Sequence, residues 1–499
     1  MNNFLKSLVL ALVVLISACG KTTKESHENG SPWGKQESLP NVIIIYTDDQ
    51  AQWALGAYGN NDIHTPNIDR LASEGMLFTR GFTKPVCSPS RVMLLTGRYS
   101  HRFDIPDFIP TDSKRGLPPG TPTIASILKR KGYATGLFGK WHLGYGEKFY
   151  PNNFGFDVAE GYRHLKHSKE EMLTPIDGTY IKYQKEFRLN PLHTDILADR
   201  AIDFIRTNQQ KPFFLYLATH FPHLPWHPIP EHDEERYRGQ VLSVPDTSDF
   251  KGLTKKTVTN TKLQDITRKY YACISNVDRN IGKILNVLDQ QHLSENTILL
   301  FIGDNGFMIG HHGTFGKGNA RKMYIDEKGK FTTRNNGTRP NMFDDSILVP
   351  FIVRWPGVIE PGTKNDEMVS TIDVLPTLIE AVGINTSSMQ LDGQSLLPLF
   401  REDADSRWRT SYYDTYDMIH LGNNGEQPYM RMVRTNDWKF ILYQDENGSP
   451  LANGTRHELF NLKADPKESS NLYGKKVVND IQKKLEAQLK KWMKENQLK

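Results

Sequence analysis

Val42-Ile43-Ile44-Ile45-Tyr46-Thr47-Asp48-Asp49 is the stretch that decides the fold. Five apolar residues, three of them isoleucine, follow one another without a polar break, and the run then stops at two carboxylates. A short, continuous, β-branched run bounded by polar residues reads as a strand buried on both faces. Outward from it the same texture recurs at residues 133–138, 213–218, 297–302 and 351–355. Between these runs lie amphipathic helical patterns. One starts at a candidate cap, Thr121, passes through Ile124, Ile127 and Leu128, and stops at Gly132. Another sets Tyr270, Ile274, Val277, Ile281, Ile284, Leu285 and Leu288 on a single face. Strands separated by helices predict an α/β fold with a large mixed, mostly parallel central sheet flanked by helices, whose ligands collect at the strands' carboxyl ends.

This domain is expected over residues 40–400. Beyond it the texture changes to short strand-like runs at 429–435 and 438–443, separated by turn residues. A closing helix carries Val477, Val478, Ile481, Leu485, Leu489 and Trp492 on one stripe. Residues 401–499 therefore read as a smaller C-terminal α+β subdomain. Residues 318–339 are polar and Gly-rich, and are expected to form a surface loop.

The amino terminus is a targeting segment. Lys6 precedes an apolar run at 8–16 that is too short to span a bilayer. The run ends in Ile16-Ser17-Ala18-Cys19, which resembles a bacterial lipobox: residues 1–18 would be the signal peptide and Cys19 the lipid-bearing mature terminus. Residues 19–39 are polar, with Gly, Ser, Pro and Lys, and read as a flexible tether. The expectation is an exported protein anchored in a bacterial membrane, the outer membrane favoured.

The 499 residues hold three cysteines, Cys19, Cys87 and Cys273, too few for a disulfide framework. Cys273 falls inside a helical apolar pattern and is expected to be a buried, inert thiol. The net charge of +5, from 62 basic and 57 acidic residues, comes without a basic block, so no nucleic-acid partner is expected.

Two strand ends carry oxygen ligands: Asp48-Asp49 after the first run, and Asp304-Asn305 after the run at 297–302. Hard oxygen donors of this kind suit Ca²⁺, with Mg²⁺ as the alternative. Between them stand Cys87-Ser88-Pro89-Ser90-Arg91 and Leu94-Leu95-Thr96-Gly97-Arg98. This segment resembles the sulfatase signature C-x-P-S-R followed by L-x-G-R. Gly139-Lys140-Trp141-His142, Pro222-His223-Leu224-Pro225, Asp304-Asn305-Gly306, His312-Gly313, Gly316-Lys317-Gly318 and Val349-Pro350-Phe351-Ile352-Val353 follow in the family's order, and Glu458-Leu459-Phe460-Asn461-Leu462 with Asp465-Pro466 is similar to its C-terminal phrase. The likeness covers nearly all of the chain after Pro40. It implies a type I, formylglycine-dependent sulfatase of the alkaline phosphatase-like superfamily, most similar to bacterial glycan sulfatases.

What the resemblance implies for single residues follows from the chemistry of a dense anion. Asp48, Asp49, Asp304 and Asn305 would hold the cation, with the residue made from Cys87 beside it. Lys140 and Lys317 would clamp sulfate oxygens, and Arg91 would hold the formylglycine. Cys87, oxidised by a formylglycine-generating enzyme, would supply an aldehyde hydrate as nucleophile. Asp304 would be its base, His223 the acid for the departing alcohol with Lys317 assisting, and His142 the base that expels sulfate and restores the aldehyde. His312 would be a further substrate contact. One departure leaves an alternative open: where the family places a Tyr-Glu-containing turn this chain has Met342-Phe343-Asp344-Asp345-Ser346, and Arg339 four residues before Phe343 competes with Lys317 for the second sulfate clamp. The expected substrate is a sulfated polysaccharide or its oligosaccharides, algal ulvan or carrageenan ahead of host glycosaminoglycans. Trp226, His227, His101 and Arg102 are candidate rim residues. The alternatives are a phosphonate monoester or phosphodiester hydrolase of the same superfamily, or a general arylsulfatase.

Overall fold

The computed structural model describes residues 39–161, 170–173, 181–184, 193–226, 228–245, 260–325, 331–401, 408–419, 428–449 and 457–499. The signal peptide, Cys19, nearly all of the tether and His227 lie outside the described residues. Residues 38–499 form one compact unit. Among the described residues no helix is long and apolar enough to cross a membrane.

The central sheet is built from β1 (Asn41–Thr47), β2 (Met76–Phe82), β3 (Ala134–Gly139), β4 (Val158–Glu160), β5 (Phe213–Thr219), β6 (Thr297–Gly303), β7 (Leu348–Arg354) and β8 (Thr363–Ser370). Its order is β8-β2-β7-β6-β1-β5-β3-β4. Every neighbouring pair is parallel except the two made by β7, which runs against both β6 and β2. The four expected runs at 42–46, 133–138, 213–218 and 297–302 are the four adjacent central strands β6-β1-β5-β3.

Alternation along these strands sorts their side chains into two layers. Ile43, Ile45, Leu215, Leu217, Leu299 and Phe301 share one apolar cluster with α1 (Pro66–Ser73), α4 (His193–Asn208) and α5 (Asn260–Gln290). On the opposite face Tyr46 meets α2 (Cys87–Thr96) through its Ser90, and α3 (Ile124–Arg130) and α6 (Val374–Ala381) pack beside α2. Burying each large apolar side chain contributes roughly 1.5–3 kcal/mol, whereas an unpaired charge at the same position would be costly. The carboxylates consequently wait until β1 and β6 have ended. Cys273 is fully buried in α5, and burial pushes its thiol well up, as an inert cysteine requires.

Register then does the positioning. Thr47 pairs with both Thr219 and Gly303, and Gly139 pairs with Ala218. The central parallel strands end level, so the residues that follow them, Asp48, Asp304 and Lys140, emerge on one rim.

Three local expectations need correction. The cap of α3 is Thr123, not Thr121: its hydroxyl accepts from Ser126 N and the Ser126 hydroxyl accepts from Thr123 N, while Thr121 only donates to Pro118 O. The polar segment after Lys317 is no plain loop, because Arg321–Ile325 and Phe331–Thr338 pair as antiparallel strands beside Thr314–Gly316 and Met308–Ile309. Val477 is 88% exposed and does not belong to the apolar stripe of the closing helix.

The C-terminal strands β9 (Ser411–Asp417), β10 (Tyr429–Thr435), β11 (Trp438–Gln444) and β12 (Glu458–Asn461) form an antiparallel sheet, against which α7 (Asn479–Glu495) packs. Buried ion pairs join this sheet to the region around Cys87. Lys84 pairs with Asp414 at 2.5 Å, and Lys439 reaches Asp344 and Glu468 at 2.6 Å each. Removing one partner of such a pair strands a buried charge, a loss of about 3–5 kcal/mol, so the two sheets are held in fixed relation.

Candidate active site

The rim assembles three carboxylates and three cations. Arg91, fully buried in α2, donates from Nε and Nη2 to Asp304 Oδ2 at 3.1 and 2.7 Å, and from Nη1 to Lys140 O at 2.8 Å. Lys140 Nζ lies 2.5 Å from Asp48 Oδ2. Lys317 Nζ donates to Asp49 Oδ1 and, at 3.2 Å, to Asn305 Oδ1. Asn305 Nδ2 donates to Asp49 Oδ1 at 2.8 Å, and the Asp49 backbone N–H to Asp304 Oδ1 at 3.1 Å. Asp49 takes a left-handed φ of 60°, which turns its carboxylate back over the rim.

These neighbours move the proton affinities in opposite directions. Burial alone would raise Asp48, but Lys140, His223, Lys317 and Arg91 hold it well below the usual carboxylate range. Asp304 is pushed up to about 7, first by burial and then by the charge of Asp48. Burial would lower Lys317, and the facing Asp49 carboxylate more than reverses that.

Cys87 opens α2 and is 3% exposed. Its Sγ is 3.1 Å from His142 Nδ1, and His142 Nε2 is 3.0 Å from Ile109 O. A carbonyl only accepts, so Nε2 carries the proton of the neutral ring and Nδ1 turns a lone pair toward Cys87. Burial pushes the Cys87 thiol up, against the pull of Lys140 and Lys317. An unmodified thiol here is a poor thiolate nucleophile.

His223 sits at the mouth with its side chain 28% exposed. Nδ1 donates to Leu224 O at 2.6 Å, which leaves Nε2 3.7 Å from Asp49 Oδ2. Burial lowers its affinity for a proton, and Asp49 and Asp48 oppose that.

A divalent cation fits this donor set. Ligand atoms of Asp48, Cys87 and Asp304 lie within 4.8 Å of one another, as do those of Asp48, Asp49 and His223. Among the described residues Asp48 Oδ1 is buried and accepts no hydrogen bond, a vacancy in bonding that a buried carboxylate rarely tolerates. Without a divalent ion the three carboxylates and three cations cancel, and nothing remains to attract an anion.

The other expected residues fall elsewhere. Arg339 pairs with Glu458 at 2.8 Å and lies over the Phe343 ring, so geometry brings Lys317 and not Arg339 to the rim. His312 stacks on Phe343, with ring centroids 3.7 Å apart, and pairs with Asp345 at 3.2 Å. Trp226 is a core residue packed on Tyr270, Phe307 and Phe315. Arg102 pairs with Asp392, and His101 stacks on Tyr99. Three tyrosines missed in the sequence support the site. Tyr46 presents its ring to the Arg91 guanidinium at 5.3 Å, Tyr216 Oη lies 3.5 Å from Arg91 Nη1, and Tyr270 donates to Asp49 O at 2.6 Å. For Tyr46 a signal was available: it precedes Asp48 by two and therefore shares its side of β1.

Comparison with known proteins agrees with this geometry. Residues 40–384 match the family model described as sulfatase, and residues 337–495 match one described as the C-terminal part of N-sulphoglucosamine sulphohydrolase. Fold and site define a sulfuric ester hydrolase of the alkaline phosphatase-like superfamily, a formylglycine- and divalent metal-dependent class. An N-acetylglucosamine-6-O-sulfatase of Bacteroides thetaiotaomicron is 26% identical over 96% of this chain and 89% of its own length. Human N-acetylgalactosamine-6-sulfatase is 28% identical over 86% of this chain and 80% of its own. A solved structure bound to its substrate D-glucosamine-2-N,6-O-disulfate superposes with a TM-score of 0.72 at 25% identity, covering 92% of this chain and 98% of that one. The chain belongs to the sulfatase family.

Proposed function

We propose that the enzyme removes sulfate from a sulfated glycan or its oligosaccharides, with 6-sulfated N-acetylhexosamines as the leading substrates. The observation that carries the reaction is the convergence of Lys140, Lys317, Arg91 and His142 on the surroundings of Cys87. The two 6-O-sulfatase relatives support the hexosamine reading, and shift the weight from the algal ulvan and carrageenan expected from sequence to glycosaminoglycan-type sugars.

Formylglycine in place of Cys87 supplies, as its hydrate, a hydroxyl to attack sulfur and a second to release sulfate, and Ca²⁺ or Mg²⁺ supplies positive charge for the sulfate oxygens. Asp48, Asp49, Asp304 and Asn305 would hold that cation. Lys140 and Lys317 neutralise sulfate oxygens. Arg91 fixes Asp304 through two donors that converge on Oδ2, which orients its carboxylate to take a proton from the attacking hydroxyl. His223, protonated at Nε2, faces the mouth where the alcohol departs and hands it a proton. His142 Nδ1, already directed at Cys87, takes the second hydroxyl's proton.

A screen with direct measurement of released sulfate tests the substrate. 6-Sulfated N-acetylhexosamine oligosaccharides should release sulfate with kcat/KM at least about tenfold above ulvan or carrageenan fragments and a small aryl sulfate. If aryl sulfate is cleaved efficiently while every glycan releases none, a general arylsulfatase takes its place; faster turnover of a phosphonate monoester would favour that rival.

The lipobox-like Ile16-Ser17-Ala18-Cys19 supports a lipid-anchored, exported enzyme. Cys19→Ala should move it from the membrane to the soluble fraction, and unchanged partitioning would remove the anchor from the proposal.

A further inference from the structure

His311 and His312 line a cleft of about 520 Å³ together with Trp53, Tyr58, Asn61 and Lys467, and none of the residues around Cys87 belongs to that lining. We propose that this cleft binds an uncharged pyranose of the glycan chain, outside the sulfate-bearing unit; this rests on the glycan substrate proposed above.

The walls are built in advance. Trp53 Nε1 donates to Phe307 O at 2.9 Å, which fixes the plane of the indole. Asn60 Nδ2 donates to Trp53 O at 3.0 Å and to Tyr271 Oη at 2.7 Å, and Asn60 Oδ1 accepts from Asp62 N at 2.9 Å and Ile63 N at 3.2 Å. All four bonds of that amide are spent on shaping the rim on which Asn61 stands exposed.

Backbone strain marks the histidine part of the lining. Among the described residues, four buried non-glycine residues hold a left-handed φ: Asp49 and His142 at the nucleophile, Glu468 in the buried ion cluster, and His312 at 53°. Such a conformation costs about 1–3 kcal/mol and survives only where neighbours enforce it. The Phe343 ring and Asp345 enforce it for His312, and the turn so made carries His311 to 4.6 Å from the Trp53 ring.

The chemistry of the lining selects the ligand. Burial lowers the proton affinity of His311, and Ile309 N donates to its Nδ1 at 3.2 Å, so the neutral ring carries its proton on Nε2 as a donor. The rings of Trp53 and His311 give apolar surface, and Asn61 gives an amide, the mixture that suits a polyhydroxylated ring. His312 is committed to Asp345, and the lining sets the carboxylates of Asp62 and Asp345 against the single lysine Lys467, so it offers no net positive charge to a second sulfate. Trp53 follows Asp49 by four residues, a reach of about 14 Å at most, so one oligosaccharide can occupy both places.

The test uses calorimetry of the full-length Cys87→Ser protein with two neutral probes, the N-acetylglucosamine tetramer and an unsulfated galactan tetramer. At least one should bind, and Asn61→Trp or Lys467→Trp, each of which adds bulk to the lining, should weaken it by about tenfold or more. In the active enzyme the same substitutions should leave hydrolysis of a sulfated monosaccharide unchanged and raise KM for a sulfated tetrasaccharide. Binding of neither probe, or equal binding after both substitutions, overturns the cleft assignment while sulfate release from glycans still stands. Conversely, cleft-dependent binding by a protein that releases no glycan sulfate would refute the substrate and keep the cleft.

Discussion

Cys87→Ser is expected to give a folded protein whose sulfatase activity has dropped by about three orders of magnitude or more. The fold should survive because the substitution is nearly isosteric at a site where Cys87 makes no contact that a hydroxyl cannot make, 3.1 Å from His142 Nδ1. Activity should not, since a serine has one hydroxyl and offers His142 no second proton to remove once sulfate has been taken up. The measurement has two parts: near-identical thermal unfolding of variant and parent, and mass spectrometry of the active parent showing H₂S exchanged for O at Cys87. Full activity with an unmodified Cys87 would end the formylglycine mechanism for this chain.

Exhaustive chelation should abolish turnover and leave the fold intact. Lys140 and Lys317 lie against Asp48 and Asp49, so without the cation the site would present no net positive charge to sulfate. A unit charge pair at 4 Å is worth about 4 kcal/mol at an effective dielectric of 20, which corresponds to roughly a thousandfold in rate. Circular dichroism should be unchanged, because the cation touches only the rim and the apolar layers lie beneath it. Readdition of Ca²⁺ or Mg²⁺ in turn identifies the metal by which one restores activity. Undiminished activity after chelation would remove Asp48, Asp49, Asp304 and Asn305 as metal ligands.

Legibility in the sequence followed burial. The strands β1, β3, β5 and β6 are enclosed on both faces, so their apolar runs are unbroken and readable. β2 reads Met-Leu-Phe-Thr-Arg-Gly-Phe and β8 reads Thr-Lys-Asn-Asp-Glu-Met-Val-Ser; each is partly exposed toward the sheet's edge and carries no such run. The run at 351–355 announced β7, but its reversed direction is set by partners distant in the chain and leaves no trace in its own residues. The candidate site was legible where residues follow a strand end or a motif, as Asp48, Asp304, Lys140 and Cys87 do. It was illegible where contact alone decides. Arg339 and Lys317 are both cations beside glycines or prolines in sequence, and only the pairing of Arg339 with Glu458 separates them. His312 is a substrate contact by resemblance alone, and only the fold shows the left-handed turn that sets it against Phe343.

The sheet order also sets a timetable for synthesis. β1 emerges first, but its two neighbours are β5 and β6, and β6 ends at Gly303. Until β6 arrives, β1 lacks its second neighbour, Asp304 is absent, and α2 has no finished surface on which to bury Cys87. About 200 residues separate Cys87 from Gly303, so at 5–20 residues per second a ribosome needs roughly 10–40 s to supply them. Through that interval the oxidising enzyme that the sulfatase resemblance implies would meet Cys87 in an unfinished chain, whereas in the finished molecule the residue is 3% exposed. Slow assembly of long-range strand pairs, usually a hazard for a folding chain, would here keep Cys87 accessible to oxidation before burial closes over it.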